Sequence, residues 1–157
     1  MYGKNPNAHL AYKTVQVTTT DRGRLLLMMY EGAIKFLKQA KAGIEANDVA
    51  KFCRFLSKGQ AIIAELMNTL DFEKGGQIAR DLDRLYDFML FYLTEANLHR
   101  DPARVQKTIG LLDTIYGAYK DIIENQKAAT QLPDLPPEAK APEAASGEAP
   151  RRLQISL

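Results

Sequence analysis

GRLLLMMYEGAIKFL, residues 23–37, decides the fold. Leu25 to Tyr30 form a run of six non-polar or aromatic residues inside a stretch with helical spacing. At about 100° per residue, one face of a helix cannot hold them all. Leu25, Leu26, Met29, Tyr30, Ala33, Phe36, Leu37 and Ala40 fall on one broad arc, as a core-facing helix requires. Leu27 and Ile34 fall beside it, seven residues apart, as a narrow second stripe on the flank of that arc. The rest of the chain must supply what covers the stripe.

Upstream, residues 1–20 begin polar and turn-rich (Gly3, Asn5, Pro6, Asn7) and continue as TVQVTTT, where Val15 and Val17 alternate with polar residues. This pattern predicts an extended N-terminal arm. Asp21 is placed to cap a first helix over about 21–46. Asn47-Asp48 supplies a turn and a second cap. Helix two is expected over 48–70, with Val49, Phe52, Cys53, Leu56, Ile63, Met67 and Leu70 inward. In the connection DFEKGGQ, adjacent glycines permit a tight reversal.

Helix three is expected over 77–98, with Ile78, Leu82, Leu85, Tyr86, Met89, Tyr92, Leu93 and Ala96 inward. Asp101-Pro102 pairs a cap with proline at the first helical position. Helix four should run over 101–127 on Val105, Ile109, Leu112, Ile115, Tyr116, Tyr119, Ile122 and Ile123. From Ala128 the composition shifts to Ala, Pro and Glu and takes five of the seven prolines, which predicts a disordered tail over 128–157. Its end, RRLQISL, reads as a solvated terminus or a docking peptide. Four amphipathic helices on short loops predict one all-α domain, an antiparallel four-helix bundle.

Composition narrows the function. Twenty-one Lys and Arg against 19 Asp and Glu leave a net charge of +2, too balanced to argue for a nucleic-acid or membrane surface. Cys53 is the single cysteine, expected as a small buried hydrophobe. The first residues lack a signal-peptide core, and no run approaches the roughly 20 apolar residues of a membrane span, so a soluble cytoplasmic protein is expected.

Bundle chemistries do not fit. A di-iron site needs inward Glu-x-x-His pairs, whereas the two histidines are His9 in the arm and His99 at a helix end. Glu95 and His99 can meet four residues apart, as a structural surface pair. No Ser or Cys nucleophile has a histidine partner in a recognisable motif, and no strand precedes a glycine-rich phosphate cradle. The expectation is therefore no catalytic residue, no metal and no cofactor.

What remains is surplus apolar surface. Phe55 and Ile62 lie seven apart on the flank of helix two beside Leu66, with Gly59 expected to leave a furrow between them. Phe88 and Phe91 on helix three, and Leu111 on helix four, also fall outside the core arcs. Aligned at helical spacing, such residues suit grooves that receive another amphipathic helix. Periodicity alone leaves open the alternative that they pack on the arm, the tail or a twin subunit.

At these residues the sequence resembles the FliS family, flagellin-specific export chaperones of bacterial flagellar assembly. The resemblance is carried by AYKTVQVTTT at 11–20, GRLLLMMYEGAIKFLKQA at 23–40, ELMNTLDFEKGG at 65–76, LYDFM at 85–89 and EANLHRDP at 95–102. It implies a four-helix bundle that binds the disordered C-terminal segment of flagellin in hydrophobic clefts, prevents its premature polymerisation and is recognised, once loaded, by the flagellar export gate. It also implies that the arm, through Leu10, Tyr12, Val15 and Val17, covers part of the client surface. Leu27, Ile34, Phe55, Ile62, Leu66, Phe88, Phe91 and Leu111 are the expected groove residues.

Two departures stand out. Asp21-Arg22-Gly23 replaces the family's usual Ser-Pro-Gly, which keeps a cap and loses proline's stiffness. Leu90-Phe91-Tyr92 follows LYDFM where relatives often carry polar residues, so Phe91 marks either a homodimer contact or a client-specific groove. The alternative function is a regulatory adaptor bundle that binds a regulator or an export-gate component rather than flagellin.

Overall fold

The computed structural model describes the backbone of residues 6–131 and the side chains of residues 21–129. Its helices are α1 (Pro6–Glu45), α2 (Val49–Asn68), α3 (Phe72–His99) and α4 (Pro102–Gln131), and there is no strand among the described residues. The chain divides into two compact units, Met1–Glu124 and Asn125–Leu157. The first unit holds the bundle; in the second, the described residues continue α4 as far as Gln131. The tail beyond Gln131 lies outside the described residues.

Short connections force each helix back along its predecessor. At the first, Asn47 takes a left-handed conformation (φ 54°) and Asp48 accepts from the Lys51 amide at 3.0 Å, capping α2. At the third, Arg100 is left-handed (φ 49°) and its amide bonds Ala96 O, while Asp101 caps α4 by accepting from the Ala103 amide at 2.9 Å. The second connection differs from expectation. Asp71 caps a helical turn that starts at Phe72, five positions before Gln77, through the Glu73 and Lys74 amides. The chain then breaks at Gly76, where φ 51° and ψ −126° suit only glycine, and helix resumes.

The N-terminal segment is also a correction. Its backbone from Pro6 onward is helical and continuous with α1, with no extended arm and no start at Asp21. Alternation at Val15 and Val17 is a weak strand signal. A segment joined to an existing helix needs no new nucleus, and each β-branched residue costs only about 0.7 kcal/mol or less in propensity. The side chains of Leu10, Tyr12, Val15 and Val17 lie outside the described residues.

Tyr30, Ala33, Leu37 and Ala40 of α1 meet Phe52, Leu56, Ile63 and Leu66 of α2, Tyr86, Met89, Leu93 and Ala96 of α3, and Val105, Ile109 and Leu112 of α4 in one buried cluster. The hydroxyls of Tyr30 and Tyr86 hydrogen-bond to each other inside it. Thr108, also buried, returns its hydroxyl proton to Arg104 O at 3.1 Å. Several inward assignments fail at helix ends, where fewer neighbours cover the same face: Leu25, Ile78 and Ile122 are 58%, 72% and 52% exposed. Val49 and Cys53 are exposed too; the Cys53 thiol points at the rim, 4.0 Å from Asn97 Oδ1.

Glycine sets the α1–α2 spacing. A Cβ on Gly43 would stand 2.7 Å from the Phe52 backbone nitrogen, and one on Gly59 would stand 2.7 Å from Leu37 Cδ2. The furrow expected at Gly59 is therefore absent: Gly59 is buried and Leu37 fills the space. This half of the bundle is closed by backbone-level contact.

Candidate functional site

Apolar side chains that the core does not absorb collect along the α3–α4 seam. Ile78, Leu85, Phe88 and Tyr92 share one flank of α3 by helical register, and Leu111, Ile115 and Ile122 share the facing flank of α4. Because α3 and α4 run antiparallel, Tyr92 meets the start of α4, with Arg104 and Lys107 at 5.5 and 5.3 Å from its ring centre. Phe88 stacks on Tyr92 with centroids 5.1 Å apart. The α3 stripe spans about 21 Å at 1.5 Å per residue, enough for a partner helix of about four turns. Phe88 is 40% exposed, while Leu85, Tyr92, Leu111 and Ile115 are half-buried. The half-buried residues hold the seam in place, and the exposed ones offer area.

At its Ile78 end the seam opens into a depression of about 300 Å³ beside the second connection. Leu26, Leu70, Leu82, Tyr86 and Tyr119 wall it, and Lys74 stands at its rim. Burial raises the Tyr119 phenol above its ordinary value, so this hydroxyl remains a neutral donor and acceptor at physiological pH. Burial likewise pushes Tyr86 up to about 12 and Tyr30 higher still, the latter aided by its bond to Tyr86. A second depression, of about 380 Å³, lies between α1 and α4; its walls are charged (Glu31, Lys35, Lys38, Asp113), and Tyr116 spans it by donating to Glu31 Oε1 at 2.6 Å.

The expected groove residues divide into three groups. Phe88 and Leu111 lie on the α3–α4 seam, and Phe91, 62% exposed, projects beside it, turned by about 60° from Phe88. Phe55 and Ile62 are half-buried on the α1–α2 flank; Phe55 meets the Phe36 ring at 5.9 Å, and Ile62 packs over Gly32. Leu66 is fully buried and Ile34 only 7% exposed, so both are core and neither is a groove wall. Ile34 forms the base of the α1–α4 depression, because α4 closes over the flank that a single-helix wheel leaves open. Leu27 on the same flank stays half-buried.

Leu85, Ile115 and Ile122 were assigned inward on the wheel and instead shape the seam. Their angular distance from the centre of each arc was the available signal. Glu95 and His99 do pair, at 3.6 Å, and Arg104 approaches the same carboxylate at 3.9 Å. Among the described residues, no group of three or more His, Cys, Asp or Glu side chains is placed to hold a metal ion, and no helix is long and apolar enough to cross a membrane. What the site presents is apolar area with aromatic and cationic edges.

Comparison with known proteins agrees with the resemblance read from the sequence. The family described as "Flagellar protein FliS" matches residues 4–126. The chain is 32% identical to the flagellar secretion chaperone FliS of Campylobacter jejuni over 126 residues, covering 80% of this chain and 98% of that one. It is 40% identical to the Salmonella typhimurium chaperone of that name over 107 residues (68% and 79%), and 31% identical to the Bacillus subtilis one over 121 residues (77% and 90%). With α1, α2, α3, their connections and α4 as far as residue 126 inside the matched span, the chain belongs to the FliS family.

Proposed function

We propose that the protein is a non-enzymatic, cytoplasmic flagellar secretion chaperone that binds the C-terminal segment of flagellin, keeps it from polymerising prematurely and presents it to the flagellar export gate. The observation that carries this reading is the α3–α4 seam. Phe88, Ile122 and Ile78 lie exposed along it at helical spacing on two facing helices. An unpartnered apolar stripe of that length suits an amphipathic helix laid in a groove. The names of the family's relatives support a role in flagellar secretion, since they are called flagellar secretion chaperones, and flagellin as the client rests on the family resemblance.

The energetics follow from a client that is disordered when free. Ordering each client residue costs roughly 1–2 kcal/mol of backbone entropy, so affinity needs a long apolar contact rather than one deep pocket. The seam has that form. Leu27, Phe55, Ile62, Phe91 and Leu111 extend the reading as lesser client contacts, and Leu10, Tyr12, Val15 and Val17 as residues that cover the client surface when flagellin is absent. Phe91 serves equally a contact between two copies of the chain in its unloaded state.

Titrating the purified chain with a flagellin C-terminal peptide, followed by calorimetry and circular dichroism, tests the proposal. One-to-one binding with a rise in client helicity supports it. No binding at high micromolar peptide favours an adaptor that engages a regulator or an export-gate component instead.

A further inference from the structure

Two aromatic pairs on opposite outer faces of the bundle are flanked by cations, and their charges are matched differently. On the α3–α4 face, the Arg104 guanidinium over Tyr92 already lies 3.9 Å from Glu95 and 3.7 Å from Asp101, which leaves Lys107 as the one cation over that ring with no carboxylate partner among the described residues. On the α1–α2 face, Arg54 stands 5.0 Å from the centre of the Phe55 ring, and Lys58 bridges the pair at 5.4 Å from Phe36 and 5.6 Å from Phe55. Neither Arg54 nor Lys58 meets a carboxylate among the described residues. Lys51 continues the same side of α2 at helical spacing, one turn after the capping Asp48, and beyond Lys58 the next acid along that side is Glu65, two turns or about 10 Å further.

We propose that this α1–α2 face is a second docking site, for an acidic amphipathic segment of a partner protein. The partner's apolar side chains would cover the Phe36 and Phe55 rings, and its carboxylates would meet Arg54, Lys58 and Lys51. Stacking holds the Arg54 guanidinium and the Lys58 ammonium over the rings, so part of the ordering cost falls before the partner arrives. The platform is also stiff, because Gly43 brings α1 to the α2 backbone and Leu37 packs directly against Gly59. An anionic membrane is the poorer match: Phe36 and Phe55 are half-buried in a seam and do not protrude, and recognition of acidic lipid uses clusters of about four to eight cations. The site is separate from the α3–α4 seam and shares only Phe55 with the lesser client contacts proposed above, and its test does not depend on flagellin.

The experiment is a nuclear magnetic resonance titration of the isotope-labelled full chain with a synthetic amphipathic peptide of about 14 residues, Leu on one face and Asp and Glu along its edges. Its control carries Asn and Gln at every acidic position. The acidic peptide should shift amides around Lys51, Arg54, Phe55, Lys58 and Phe36 and weaken about tenfold between roughly 50 and 300 mM salt. Arg54→Gln with Lys58→Gln should weaken it at least about tenfold at unchanged Tm, and Phe88→Asp with Ile122→Asp should leave it intact. Equal binding of the control, shifts on the α3–α4 seam instead, full affinity in the Arg54/Lys58 variant, or no binding at millimolar peptide would overturn the proposal. Binding only to phosphatidylglycerol vesicles would overturn it in favour of a membrane.

Discussion

Removing both hydroxyls of the Tyr30–Tyr86 pair should destabilise the bundle by less than the sum of removing each alone. Tyr30 and Tyr86 are 0% and 1% exposed, and their hydroxyls satisfy each other. Tyr30→Phe keeps the ring and its packing but strands the Tyr86 hydroxyl in an apolar core, at about 1–3 kcal/mol. Tyr86→Phe does the same to Tyr30. In the double variant no polar group is left unpaired, so its loss should be below the sum of the single losses by at least about 1 kcal/mol. Urea unfolding by circular dichroism at neutral pH reads these differences, provided the m-value is unchanged. Alkaline pH gives a second reading. Both phenols are raised in the folded state, Tyr86 to about 12 and Tyr30 further, mainly by burial. Above pH 10 the unfolded chain loses these protons and the folded chain keeps them. Stability therefore falls from pH 10 upward by about 1.4 kcal/mol per pH unit per tyrosine, with the Tyr86 share exhausted near pH 12. The double Phe variant should show a shallower alkaline decline. Additive single losses, or an unchanged alkaline slope, would refute this view of the core.

Other backbone and cap features give further expectations. Gly43→Ala puts a Cβ 2.7 Å from the Phe52 nitrogen, which cannot yield without moving α2. Overpacking of about 1–3 kcal/mol should outweigh alanine's helix preference of about 1 kcal/mol, giving a lower Tm in calorimetry. Arg100→Gly should raise stability by about 0.5–1 kcal/mol in the same scan, since the left-handed φ of 49° suits glycine. Asp71→Ala removes two capping bonds of 3.0 Å and should cost about 1 kcal/mol, with faster amide exchange confined to the turn that begins at Phe72.

Helix number, helix order and the first and third connections were legible because each depends on local signals: Asp48 and Asp101 as caps, and one apolar arc per helix; the second connection was not, because the glycine pair masks the helical turn that Asp71 caps. Alternation at Val15 and Val17 suggests an arm only when taken apart from the helix that the segment continues. Ile34 and Leu66 were misplaced for a different reason. A wheel describes one helix, while the width of its buried arc is set by how far the neighbours close over each flank. Burial at helix ends depends on neighbours in the same way, which is why Ile78 and Ile122 look inward on a wheel and stand exposed in the bundle. Phe88 needed no such knowledge, since it lies far outside the arc of α3. The cations over Tyr92 and Phe55, and the pairing of Arg104 with Glu95, are tertiary features, invisible until α3 and α4, and α1 and α2, are set side by side.

The most direct test of the central claim is the affinity of Phe88→Asp with Ile122→Asp for the flagellin C-terminal segment, measured beside its thermal unfolding. The two side chains are 40% and 52% exposed, so replacing them should leave Tm within a few degrees of the parent. If the client covers their exposed fractions, each contributes about 0.6–1.6 kcal/mol, and affinity should fall at least about tenfold. Unchanged affinity in a folded double variant would contradict the assignment of the α3–α4 seam as the client site.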